Sequence, residues 1–356
     1  MTRTTPPRPV DVAAVFPALA PLARIATRLH PRPGNPSPQD SSVGGPLLWP
    51  ASEPWPHCGG PHALDGLNPA ESLADVRLER RIRAAAHDRS LTPQERDTLD
   101  RIRPLPGPVT NDPVAQPYDG SIAMLPVAQL YVRDVPGLRA SAAADVLQVL
   151  WCPFDHPGDE EFMPRTALFW RSADAVTDIL TVPPEPAEVQ YEGYVPEPCT
   201  IAPEQVTEYP APLELDDGLR EQVEMWCVHH GTGIEPDIEG YRNAQYEEEA
   251  GLYFDELCTA PGWKVGGWIR WGLTDPYAQP CLVCGTPTEP LLTIAWSEWD
   301  GAGDSWIPYE DQAVGISSSS PAYLAQPSRI QIGRGYDQIV RVCPVSPGHP
   351  HVQLMQ

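Results

Sequence analysis

Forty-six prolines in 356 residues set the first limit on what this chain can fold into. Each proline fixes its own φ, removes a backbone donor and pushes the residue before it out of the helical region. An all-helical fold is therefore excluded, and short strands joined by many irregular connections satisfy the pattern. Hydrophobic residues at 41% and aromatic residues at 8% still supply enough apolar surface for a packed core. A chain of this length can bury one large core or two modest ones.

The formal charge of −24 argues against non-specific binding to nucleic acid or to an anionic membrane surface, because like charges repel and no counterions would be released. It favours a basic partner protein. No run of about 18 apolar residues occurs, so no transmembrane span is expected. The apolar N-terminal stretch is broken by Asp11, Pro17, Pro21 and Arg24, which fits no signal peptide. The expected location is cytoplasmic. Eight cysteines in that compartment read first as metal ligands or core thiols, and only second as disulfides.

Several local patterns are legible. Leu22, Ile25 and Leu29 fall on one helical face, which predicts a helix over Leu19 to Leu29 within an N-terminal arm of residues 1–40. Residues 70–104 carry two helical segments, the second opened by a capping box of Thr92, Pro93 and Glu95. They form a helical hairpin flanked by strands, as an insertion would. Residues 126–135, 145–152 and 165–171 are rich in Val, Leu, Tyr and Trp and read as strands of one sheet. Residues 182–213 form a connector rich in Pro and Glu. An amphipathic helix follows, capped by Asp216 or Asp217 with Leu219, Val223 and Trp226 inward. Further strands are expected at 291–299, 328–333 and 338–343.

The same landmarks recur in order. Val43-Gly44-Gly45 matches Val265-Gly266-Gly267, with Trp49 and Trp271 just downstream. A Cys-Gly pair follows in each, at Cys58 and Cys284, then a strand, then a second strand ending in Cys-Pro at Cys152 and Cys343. Val43 to Cys152 spans 109 residues and Val265 to Cys343 spans 78. The difference, 31, is close to the length of the helical hairpin. The expected fold is thus α+β and β-rich: two related β halves, 41–181 and 214–356, forming a roll with peripheral helices.

Each half then offers two pairs of soft ligands. The first half supplies Cys58 with His62 and Cys152 with His156; the second supplies Cys281 with Cys284 and Cys343 with His349 or His351. Four nitrogen and sulfur donors on two short knuckles meet the tetrahedral requirement of structural zinc, and suit it better than calcium or magnesium. Cys281-x-x-Cys284 is the strongest of these signals and Cys343 with its distant histidine the weakest. Cys199, Cys227 and Cys258 read as core or connector thiols. Glu298, Asp300, Asp304, Glu310 and Asp311 crowd one acidic loop, which reads as solvated surface or as a source of a general base. No Walker loop, dinucleotide fingerprint, nucleophile elbow or HExxH helix is present.

The segments SSVGGPLLWP, PVAQLYVRDV, LQVLWCPFDH, WKVGGWIRW and LLTIAWSEWDGAGDSWIPYED resemble the YwqG-like proteins, a bacterial family of unknown function. The resemblance covers about residues 40–170 and 260–345 and implies a β-rich roll with peripheral helices. Some relatives resemble immunity or interaction components encoded near toxins, and the resemblance supplies no catalytic residue. Two functions are consistent with the sequence. One is a non-catalytic, zinc-stabilised interaction protein with a basic partner. The other is a metal-dependent, hydrolase-like enzyme using the second-half ligands and the carboxylates of 298–311. A closed four-ligand site favours the first, and a three-ligand site opening onto a pocket beside Glu298 or Asp300 favours the second.

Overall fold

The computed structural model describes residues 2–64, 70–86, 89–102, 116–118, 120–140, 144–156, 163–230, 251–299, 303–312 and 325–356. It is a mixed α+β structure. After the short helix α1 (Val12–Val15) come β1 (Arg24–Arg28), β2 (Arg32–Pro33), β3 (Ser42–Val43), β4 (His57–Cys58), β5 (His62–Leu64) and β6 (Glu71–Ser72). Helices α2 (Leu73–Ala85) and α3 (Pro93–Ile102) lead to β7 (Gln116–Tyr118), β8 (Ile122–Ala123), β9 (Leu125–Tyr131), β10 (Val146–Cys152) and β11 (Arg165–Arg171). Then follow β12 (Glu188–Val189), β13 (Cys199–Thr200), β14 (Glu204–Glu208), α4 (Asp217–His230), β15 (Lys264–Gly266), β16 (Glu289–Ile294), α5 (Tyr309–Gln312), β17 (Gln338–Val342) and β18 (Val352–Met355).

Among the described residues the strands pair antiparallel, chiefly in two six-stranded sheets, ordered β14-β1-β15-β16-β17-β18 and β11-β10-β9-β3-β13-β2. Each sheet contains a run in which a Val-Gly strand pairs with a second strand and that with a third. In one the run is β3-β9-β10, in the other β15-β16-β17. The pairing of β9 with β10 shifts register at Val149/Leu150, and that of β16 with β17 at Pro290/Leu292. A single apolar cluster draws Val127, Val149 and Trp151 from one sheet and Val265, Leu292 and Val340 from the other, so the sheets share a core. β10 is buried along its whole length, and its one polar residue, Gln148, donates to Leu48 O and Gln129 Oε1 at 2.9 Å.

The Gly-Gly turns have a steric origin. Gly44 has φ +62°, and a Cβ there would meet the carbonyl oxygen of Glu197 at 2.7 Å. Gly267 has φ +77°, and the space its Cβ would need is taken by the carboxylate of Glu208. That buried carboxylate pairs with Lys264 Nζ at 2.7 Å and accepts from Trp268 N at 2.7 Å and Ala260 N at 2.9 Å. A buried ion pair survives there because every oxygen is hydrogen-bonded.

Several sequence expectations are corrected. Residues 24–28 are strand β1, not helix; Pro21 confines the preceding segment to a 3-10 turn (Pro17–Leu22), and β14 and β15 capture the chain on both sides. Of the supposed helical face, Ile25 is 57% exposed, so the spacing was coincidental. The connector of 182–213 carries strands of its own. It gives β13 to one sheet and β14 to the other, so it stitches the two together. Residues 328–333 form no strand beyond an isolated bridge, Ile332 to Tyr336, although Ile330 and Ile332 are buried. β18, absent from the expected strands, pairs along β17.

Other local expectations agree with the coordinates. The capping box at Thr92 forms, with Glu95 N donating to Thr92 Oγ1 at 3.2 Å and Thr92 N to Glu95 Oε2 at 2.8 Å. Asp216 caps α4 through Leu219 N at 3.0 Å. Among the described residues no helix is long and apolar enough to cross a membrane.

Candidate metal centres

The fold gathers two groups of four soft ligands. Cys58, His62, Cys152 and His156 form one, and Cys281, Cys284, Cys343 and His349 the other; within each, the ligand atoms all lie within 4.8 Å of one another.

In the first group Cys58 ends β4, His62 opens β5, Cys152 ends β10 and His156 lies in the loop beyond it. Gly60 makes the turn between Cys58 and His62 at φ +83°, and a Cβ there would sit 3.1 Å from His62 Nδ1. The other knuckle is tied down by Asp155. Its amide donates to Gln190 Oε1 at 2.8 Å, and its carboxylate accepts from Gln190 Nε2 at 2.7 Å and from Tyr194 OH at 2.9 Å. Ala63 N donates to Asp155 O at 3.1 Å, which joins the two knuckles. Beneath them lies an apolar floor that includes Trp55, Ile122, Leu150 and Phe154.

Cys58 Sγ is 3.2 Å from His156 Nε2, and the rings of His62 and His156 are 5.2 Å apart. The Cys152 thiol, followed by His156, pulls the Cys58 sulfur down to about 3 against the effect of burial. Cys152 is pushed up, first by its bond to that sulfur and then by burial. A dication binds cysteine as thiolate, so metal binding here would release whatever thiol protons the pair carries. His62 Nε2 and His156 Nδ1 are buried without a hydrogen-bond partner. A buried imidazole nitrogen left unpaired is costly.

The second group is held by a tight turn. Gly285 N donates to Cys281 O at 2.8 Å and Cys281 N to Thr286 O at 2.8 Å, with Gly285 at φ +72°. Cys343 follows the end of β17, and His349 N is fixed by Ser346 O at 3.2 Å. His349 Nδ1 lies 3.4 Å from Cys281 Sγ and 3.3 Å from Cys343 Sγ, while Cys284 Sγ is 3.5 Å from Cys343 Sγ. Hydrogen bonds from Thr286 lower Cys284 to about 6. The choice left open between two histidines is decided by β18. His351 turns away, its Nε2 2.9 Å from Thr166 Oγ1, and only His349 joins the cysteines.

A tetrahedral ion with Zn–S near 2.3 Å and Zn–N near 2.0–2.1 Å sets its ligand atoms roughly 3.3–3.8 Å apart. The closest approaches in both groups are slightly shorter than or equal to this spacing, and the donors are all sulfur or imidazole, so both groups can hold a metal ion such as zinc. The remaining cysteines stay outside them: Cys199, Cys227 and Cys258 are buried thiols. His229 and His230 bond to the carbonyls of Met225 and Trp226 in their own helix.

The acidic loop does not converge on either group. Glu298 is buried against His30, with Glu298 Oε2 3.3 Å from His30 Nδ1 and Oε1 accepting from Trp263 N at 3.0 Å. Glu310 and Asp311 engage the N-terminal arm, Asp304 starts a 3-10 turn, and Asp300 lies outside the described residues. Sequence patterns gave no sign of the links through Gln190 and Tyr194 or of the buried His30, because these contacts join residues far apart in the chain. Comparison with protein-family models and with curated proteins gives no match for the chain.

Proposed function

We propose that the protein is a non-catalytic binding module stabilised by two structural zinc ions, with a basic protein as its partner. The observation that carries this reading is the composition of the two ligand groups. Each is a closed quartet of cysteine and histidine with no carboxylate member, the arrangement of structural rather than catalytic zinc. The carboxylates that a hydrolytic site would need are engaged elsewhere, Glu298 with His30 and Asp311 with Arg3 and Arg32.

The surface adds support. The second quartet displays Leu282, Val283 and Val345 at 79%, 62% and 68% exposure on the same knuckles that carry its cysteines. Aliphatic residues held outward by a metal site suit contact with another protein. The charge of −24 selects for a basic one. The matching strand order of the two sheets supports two related β halves forming a roll, with α2 and α3 as an insertion in the first. The YwqG-like resemblance fits this architecture and an immunity-type role.

Elemental analysis of purified protein tests the reading. The proposal predicts about two zinc ions per chain, and about one in a Cys281→Ser/Cys284→Ser variant. Protein isolated without zinc, or a double variant with unchanged content, contradicts it.

A further inference from the structure

The N-terminal arm lies in its groove as a bound peptide would. Thr4 donates through N and Oγ1 to the two oxygens of Glu310 at 2.9 and 3.1 Å, and its carbonyl accepts from Tyr309 N at 3.0 Å. Thr5 N bridges both oxygens of Glu204 at 2.9 and 3.0 Å, and its hydroxyl donates to Glu204 Oε2 at 2.5 Å while accepting from Arg28 Nη1 at 2.8 Å. Arg3 Nε pairs with Asp311 at 3.2 Å. The Arg8 guanidinium lies 3.4 Å over the ring of Trp306 and donates to Ser305 Oγ at 2.9 Å and Glu256 O at 3.0 Å.

These anchors come from β14, α5 and two separate turns, and they read an extended chain through carboxylates, backbone groups and one aromatic slot for arginine. The floor of the groove is buried. Trp306, Arg28 and His30 are fully buried, and His30 sits between Glu204 and Glu298 at 3.2 and 3.3 Å. The arm is not. None of residues 2–10 is fully buried, and apolar anchoring of the chain begins with the half-buried Val10 and continues through Val12, Phe16 and Leu19. A segment held by polar contacts that water can replace opens locally without unfolding the core.

We propose that this groove is a recognition site for an extended basic segment of a partner protein, one presenting threonine and arginine at the spacing of Thr4, Thr5 and Arg8. The chain's own arm occupies the groove in cis until such a segment replaces it. The inference rests on the reading of the protein as a module for a basic partner. Its test involves no metal, so the two can fail separately.

The probe is a fluorescent peptide carrying residues 2–9, TRTTPPRP, titrated into the full chain. The tethered arm competes at an effective concentration of about a millimolar, so wild-type protein binds the peptide weakly. A Thr4→Val/Thr5→Val/Arg8→Ala variant, with its arm loosened and its groove intact, binds at least about ten-fold tighter. Adding Glu204→Gln and Glu310→Gln removes the gain. A loosened variant that is folded but binds no peptide overturns the proposal, as does binding indifferent to the glutamine substitutions. A concentration-dependent dimer formed by arm exchange overturns a foreign occupant. If the loosened variant does not fold, hydrogen exchange on wild-type protein decides. Exchange of the Thr4 and Thr5 amides by local opening is the expected result, and exchange only on global unfolding overturns the proposal.

Discussion

Cys58 Sγ sits 3.2 Å from His156 Nε2 although 98 residues separate the two in the chain. A strand end from the small β4-β8 sheet and the loop beyond β10 of a six-stranded sheet are brought to ligand distance, and Asp155, Gln190 and Tyr194 hold the approach. Binding confined to the folded state makes such a site a source of stability. At zinc concentrations of 100 to 1,000 times the dissociation constant, metal loss costs about 3–4 kcal/mol. A Cys58→Ser/His156→Ala variant should lose that much in denaturant unfolding. An unchanged midpoint at equal zinc concentration contradicts the assignment.

The two sites differ in access. Cys284 is exposed, whereas His62, Cys152 and His156 are all buried. Chelator attack needs an accessible ligand, so zinc release should be biphasic, with the fast phase from the second site. The fast phase should vanish in Cys281→Ser/Cys284→Ser protein. A single phase, or a fast phase that survives the substitution, runs against this order.

The arm should be released by acid. Burial opposes charge on Glu204, but hydrogen bonds from His30 and Thr5 together outweigh it and keep its carboxyl below the ordinary value. Glu310 is lowered by its own amide and then by Thr4. A depressed carboxyl contributes stability above the unfolded value of about 4.3, and the contribution is lost as pH falls through the folded value. NMR shifts of the Thr4 and Thr5 amides should therefore move below about pH 4.3 while core amides stay in place. Persistence of the shifts in Glu204→Gln protein at neutral pH contradicts the role of Glu204.

Arg80 joins α2 to the connector. Its buried guanidinium donates to Val195 O at 2.7 Å, Glu192 O at 2.8 Å and Glu197 Oε2 at 3.2 Å. Arg80→Ala takes the guanidinium from Val195 O and Glu197, while Glu192 O keeps Val195 N at 3.0 Å, and should cost about 2–4 kcal/mol. A loss below about 0.5 kcal/mol, the range of ordinary surface substitutions, shows that α2 is not anchored this way.

The candidate ligands of both groups, apart from the choice between His349 and His351, stand out in the sequence because cysteines and histidines on short knuckles are rare and locally encoded. Strands β9, β10 and β11 were legible for a similar reason: their apolar runs satisfy a buried sheet without help from distant sequence. β1 was not, since Leu22, Ile25 and Leu29 imitate a helical stripe and only β14 and β15 reveal the strand. The weaving of the connector between sheets was hidden because β13 has just two residues and no periodicity. The choice of His349 over His351 depended on the register of β18 against β17, which no pattern in PVSPGHPHVQLMQ specifies.

The central claim, two closed sites of different ligand sets, is tested most directly by X-ray absorption at the zinc edge of the isolated protein. One site offers two thiolates and two imidazoles, the other three thiolates and one imidazole. Averaged over both ions, the account predicts four-coordinate zinc with about 2.5 sulfur and 1.5 nitrogen neighbours and no bound water. A water oxygen in the first shell, or a sulfur count near that of a single site, would contradict it.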